Sequence, residues 1–203
     1  MSGVQLPVEI NIGRIFMPKL EVYYPIVDGV RDYIADQSIN HEIHKLTYSM
    51  IESQGYYENP DISTMMGTFD LKTNERGILS FSLFNYIFAG GAHGMTLQKS
   101  LTFEVESGKS YTLGELFKEN SDYKKVLSEI IAKQIKERNL PLIAEFKGIG
   151  QEQDYYVSDK CLVIYFQLYE LTPYAWGFTY FPISLYQIQD LLSDDSPLQQ
   201  LLY

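Results

Sequence analysis

Cysteine is almost missing from this chain: among 203 residues only Cys161 occurs, so no internal disulfide framework is possible. Histidine is nearly as scarce, with His41, His44 and His93, and there is a single tryptophan, Trp176. Long hydrophobic runs are lacking too. The longest apolar stretches, such as Cys161–Phe166, are strand-sized and fall well short of the ~18–20 residues that a spanning helix needs. Positive charge is in deficit, with 16 Lys and Arg against 26 Asp and Glu and a formal net charge of −10. Such a chain repels phosphate backbones, which argues against nucleic acid and anionic membrane surfaces as partners. The first residues show no basic stretch followed by an apolar one, so no secretory leader is read there. As written, the chain is expected in the cytoplasm, or outside it if an upstream anchor has been removed.

What is present is 45% hydrophobic residues, enough for a large core without disulfides or metal. Tyrosine is in excess, at 17, beside 11 Phe. Alternation predicts strands over 8–16 and 20–24, the second ending before Pro25. Ile39, Ile43, Leu46, Met50 and Ile51 share one helical face, which predicts a helix over 39–54 capped by Ser38 or Asn40. The period then returns to two. Strands are expected over 62–72, 78–89 and 95–105, with a hairpin turn at Thr73–Gly77. Thr112 and Glu115 have capping-box spacing and open a short helix, and Ser121 caps a longer one that Pro141 ends. Further strands are expected at 155–157, 161–168 and 178–183, with a last helix near 185–192. Helices and strands come in blocks. That order predicts an α+β fold, a mostly antiparallel sheet packed by two or three helices. Region 8–88 and region 89–192 would form one compact unit with a frayed tail at 193–203, and soft boundaries lie near 56–61 and 106–112.

The chemistry-bearing residues give no catalytic set. His41-Glu42-Ile43-His44 lacks the i, i+4 pair of a zinc helix and reads as a polar helix face. Cys161, among Leu162, Val163 and Ile164, reads as a small core hydrophobe. There is neither a Gly-x-Ser-x-Gly elbow nor a P-loop. No metal ligands and no cofactor are expected. Two loops remain. In Gly90-Gly91-Ala92-His93-Gly94 the glycines permit unusual backbone angles, so Gly91, His93 and Gly94 form either a tight turn or a ligand contact. In the second, Glu170, Pro173, Tyr174 and Trp176 stand within an aromatic stretch from Tyr165 to Phe178. Tyr and Trp supply the anchors of protein hot spots and sugar platforms, and Pro173 lowers the ordering cost.

The glycine loop, followed by Leu101-Thr102-Phe103 and Tyr111–Phe117, together with Tyr155–Val157 and Leu162–Gly177, resembles the bacterial domain of unknown function numbered 3298. Leu20–Pro25 through about Ile87 resembles the domain numbered 4163 that usually precedes it. The pair makes up the extracellular part of RsiV-type anti-sigma factors and occurs beside peptidoglycan deacetylase domains. The resemblance implies a non-enzymatic α+β module that binds lysozyme or a related ligand through its loops. This sequence shows no transmembrane helix and so is similar to short, stand-alone members. The expected partners are therefore a lysozyme-like protein or peptidoglycan. One alternative is a hydrolase acting on cell-wall material through His93 and a nearby carboxylate, Glu104 or Glu170. Another is a cytosolic regulator that binds a protein partner through its acidic face.

Overall fold

The computed structural model describes residues 7–202 of the chain. They fall into two compact units that divide between Ser110 and Tyr111. The division comes after the region 89–105, not at 88/89, because the strand at Met95–Glu104 pairs along its whole length with Ile78–Ile87.

The first unit is a six-stranded sheet in the order β1-β2-β3-β4-β5-β6. Its strands are β1 (Glu9–Met17), β2 (Leu20–Asp28), β3 (Thr64–Glu75), β4 (Ile78–Phe88), β5 (Met95–Glu104) and the two-residue β6 (Lys109–Ser110). Neighbours are antiparallel except β2 and β3, which pair in parallel over Leu20–Val22 and Met65–Gly67. A parallel pair needs a long crossover, and helix α1 (Tyr33–Ser53) supplies it. The mostly antiparallel α+β reading therefore holds.

Two local expectations change. β2 runs through Pro25 to Asp28, with Pro25 opposite Ile12. Its ladder with β3 covers only Leu20–Val22, so the missing N–H at Pro25 breaks no bond on that side. Helix α1 starts six residues before position 39. Its cap is Asp32, whose carboxylate accepts from the Ile34 and Ala35 N–H groups at 2.8 and 2.9 Å. Tyr33 and Ile34 are exposed, which hid this first turn from the apolar periodicity. Asn40 serves the sheet: its amide takes the N–H and C=O of Val27, both at 2.9 Å.

Helix α1 places Ile39, Ile43 and Met50 against Leu79, Phe81, Leu83 and Phe103 of the sheet. A second cluster joins Ile51 to Ile15, Leu20, Val22, Ile62 and Met65. The opposite face of β4 and β5 is a buried polar ladder, with Ser80 to Thr102 and Ser82 to Ser100 at 2.9 Å each and Gln98 donating to Ser82.

The second unit holds a three-stranded antiparallel sheet of β7 (Tyr155–Ser158), β8 (Cys161–Phe166) and β9 (Thr179–Ser184). Before it comes α2 (Tyr123–Glu137), and after it the single-turn α3 (Leu185–Ile188). Leu127 and Ile131 of α2 are fully buried. Gln134 and Arg138 donate to the carbonyls of Pro182 and Tyr180 at 2.8 and 2.7 Å, which covers the free edge of β9. The expected frayed tail is ordered through residue 202. Pro197–Leu201 forms a 3-10 helix, and Leu198, Leu201 and Leu202 are buried, so apolar burial outweighs the end-fraying tendency. Among the described residues no helix is long and apolar enough to cross a membrane.

Candidate functional site

The residues singled out in the sequence separate into the two units. Gly91, His93 and Gly94 lie in the β4–β5 connection of the first. Here each glycine has a local cause. Gly91, like Gly90, has φ 90°, and nothing crowds its Cα. At Gly94 a Cβ would meet the Tyr86 ring at 2.3 Å and the Ile87 carbonyl at 2.4 Å, so packing demands the glycine. The exposed His93 sets its Nδ1 2.9 Å from the Gly94 carbonyl oxygen. Glu104 is not brought to this histidine. It ends β5, ten residues that begin two positions after His93, and at ~3.3 Å per residue they span roughly 30 Å. Its carboxylate accepts from Ser107 Oγ at 2.6 Å.

Glu170, Pro173, Tyr174 and Trp176 lie in the β8–β9 connection of the second unit. Leu171 is buried, and the Thr172 and Thr179 hydroxyls meet at 2.9 Å beneath the loop. Glu170 is used locally: its carboxylate accepts from the Gln167 N–H at 2.7 Å. That bond closes a turn in which Tyr169 takes φ 64°, a left-handed conformation that is costly for a bulky residue. Pro173, at φ −58°, leads into the 3-10 turn Tyr174–Trp176, and Gly177, at φ 69°, ends it. The Tyr169 and Tyr174 rings lie 5.5 Å apart. Tyr169 is 47% exposed and Trp176 55%. Large aromatic rings are costly to leave in water, and a loop pinned at both ends holds these in a defined array.

Sequence reasoning missed a second feature of this unit. A cleft of about 640 Å³ opens where the 112–122 segment meets the start of α2 and Gln151. Thr112 and Glu115 make only half of the expected capping box. Glu115 accepts from the Thr112 N–H at 2.9 Å, but the Thr112 hydroxyl donates to Glu115 rather than accepting from the backbone. A 3-10 turn, Gly114–Leu116, results instead of a helix. Ser121 likewise does not cap α2. Its hydroxyl donates to the Lys118 carbonyl, and Asp122 occupies the cap position. The available signal was Gly114, a poor helix former inside a helix-start motif. Tyr123 stacks on Phe117, centroids 4.5 Å apart and planes 4° apart. Burial holds its hydroxyl above the ordinary tyrosine pKa of 10.0. Among the described residues no group of three His, Cys, Asp or Glu is placed to hold a metal ion.

Residues 114–186 match the family model described as "Protein of unknown function (DUF3298)". The chain carries a DUF3298 domain. Residues 17–96, where the resemblance placed the domain numbered 4163, match the model described as "Deacetylase PdaC". The fold is similar to the crystal structure of a DUF3298 family member from Bacteroides fragilis NCTC 9343. That likeness has 12% identity and a TM-score of 0.70 and covers 96% of this chain and 97% of that one. A DUF3298 family protein from Pseudomonas aeruginosa PAO1 is similar at 11% identity and a TM-score of 0.67, covering 96% of both chains. At these identities the likeness is one of fold. No curated protein matches the chain. The Tyr169–Trp176 segment and all of the Gly114 cleft except Thr112 lie within the DUF3298 match.

Proposed function

We propose that this protein is a non-enzymatic binding module, and that the β8–β9 connection of its DUF3298 domain holds a partner. The carrying observation is the exposed Tyr169 and Trp176 on one short loop, with the half-buried Tyr174 against Tyr169 and the Thr172–Thr179 hydrogen bond buried beneath. Rigid aromatic anchors of this kind gain contact area at low ordering cost. The partner in this reading is a lysozyme-like protein, as the resemblance to RsiV-type sensing domains implies, or a peptidoglycan strand. A net charge of −10 complements a basic partner. The reading places the module outside the cytoplasm, where such partners occur.

Calorimetric titration with hen lysozyme and with soluble peptidoglycan fragments tests this. Binding by one of them, weakened about 30-fold or more by Trp176→Ala with melting unchanged, is the expected result. No heat with either ligand, or binding that is indifferent to Trp176→Ala and Tyr174→Ala, defeats it.

A further inference from the structure

A second site lies in the same domain, apart from the aromatic loop. The cleft beside Gly114 has a volume of about 640 Å³, within the ~300–1,000 Å³ range of small-molecule sites. Its glycine is explained by space rather than by backbone geometry. Gly114 lacks a left-handed φ, yet a Cβ there would stand 3.1 Å from the Tyr123 hydroxyl oxygen. A side chain at 114 would press on the phenol hydroxyl and project into the cleft. Tyr123 itself is held in place, one ring face against Phe117. Lys124 reaches across to the Gln151 side-chain oxygen, tying the start of α2 to the far wall.

The lining decides the ligand class. Glu115, Glu119 and Asp122 face Lys124 and Lys125 around the same space. Carboxylates outnumber ammonium groups, so a phosphate-rich ligand is repelled. The ammonium groups in turn disfavour a polycation. Charged and hydroxyl side chains form most of the rim, while about half of the exposed lining surface is apolar, a balance that matches the polar edges and apolar faces of a sugar better than an all-apolar lipid or steroid. An uncharged molecule carrying many hydroxyl and amide groups satisfies the mixture. Its hydroxyls donate to the carboxylates and accept from the lysines and the Tyr123 hydroxyl. Charge-assisted hydrogen bonds of that kind are stronger than neutral ones.

We propose that the Gly114–Tyr123 cleft is a saccharide-binding site of the DUF3298 domain, independent of the Tyr169–Trp176 array. The cleft is open along one side, so the geometry suits a short segment of a longer glycan as well as a free oligosaccharide.

Chitotetraose and maltotetraose are the probes, titrated into the full chain by calorimetry and by saturation-transfer NMR. The expected result is binding of at least one with micromolar to low-millimolar affinity. Gly114→Val, Tyr123→Phe and Glu119→Gln should each weaken it about tenfold or more, while Trp176→Ala leaves it within about twofold. Tyr123→Phe and Glu119→Gln keep the test decisive should Gly114→Val disturb folding. No binding of either probe up to 10-millimolar order (~10 mM) overturns the proposal, since it leaves the site weaker than any useful affinity. So does binding that Trp176→Ala abolishes and the cleft variants spare, which would return the sugar to the aromatic loop.

Discussion

The two units solve the same problem with different means. The first buries its apolar residues between long strands and one helix of 21 residues. Two unusual residues there have a packing reason: Gly94 yields to Tyr86, and Asn40 binds the edge of β2. The second builds a sheet from strands of four to six residues, with a two-residue turn between β7 and β8 and a long ordered connection between β8 and β9. It places Tyr169 in a left-handed conformation within the turn closed by Glu170 and Gln167, and it leaves Trp176 more than half exposed. The free strand edges differ as well. In the second unit Gln134 and Arg138 cover β9. In the first, β1 keeps Ile12 and Phe16 exposed at 69% each, with the Arg14 guanidinium 4.7 Å from the Phe16 ring centroid as its charged guard. Structural cause accounts for the glycine loop, and the aromatic loop is where the proposed recognition rests.

The comparison breaks first if the cores are misassigned. Leu83→Ala in the first unit and Ile164→Ala in the second should each lose about 2–5 kcal/mol, read from denaturant midpoints, because both side chains are buried. Near-wild-type unfolding of both would show the sheets to be packed otherwise. Next, Gly94→Ala should cost about 1–3 kcal/mol, since its Cβ collides with a ring and a carbonyl. A fully stable Gly94→Ala that lost a binding activity would instead return the glycine loop to recognition. Tyr169→Gly should reverse that pattern. Relief of the left-handed tyrosine should leave stability equal or higher by up to about 1 kcal/mol, with weaker partner binding. A loss of stability there would mean that the ring is structural.

The smallest effect concerns the exposed face of β1 and β2. The Tyr23 hydroxyl, 2.5 Å from Glu21, holds that carboxyl below its ordinary pKa of 4.5, with help from Arg14. A lowered folded-state pKa stabilises the fold above the ordinary value and is lost as pH falls through the folded one. The same bond raises the Tyr23 pKa, so its contribution is present below pH 10 and lost as the phenol ionises. NMR titration of Tyr23→Phe should move the Glu21 midpoint upward. An unmoved midpoint would assign the shift to Arg14 alone.

Much of the first unit was legible because its signals are local. Alternation at Leu79, Phe81 and Leu83 marked β4 and its buried face, and Thr73–Gly77 marked the hairpin. The first turn of α1 was not, because Tyr33 and Ile34 point to water and carry no periodicity. In the candidate site, Pro173, Tyr174 and Trp176 could be chosen from residue type. Tyr169 could not, since only its backbone angle and its contact with Tyr174 distinguish it from the other tyrosines.

By itself the sequence determined the α+β class, the strand and helix cores and the aromatic loop, since periodicity and composition act over a few residues. Only the tertiary structure decided that β2 and β3 pair in parallel across helix α1, that Asn40 binds Val27, and that Gly114, Tyr123 and Gln151 line one cleft. Those facts depend on which distant segments meet. Strand pairing and burial fix that across the whole chain, and no local pattern records it.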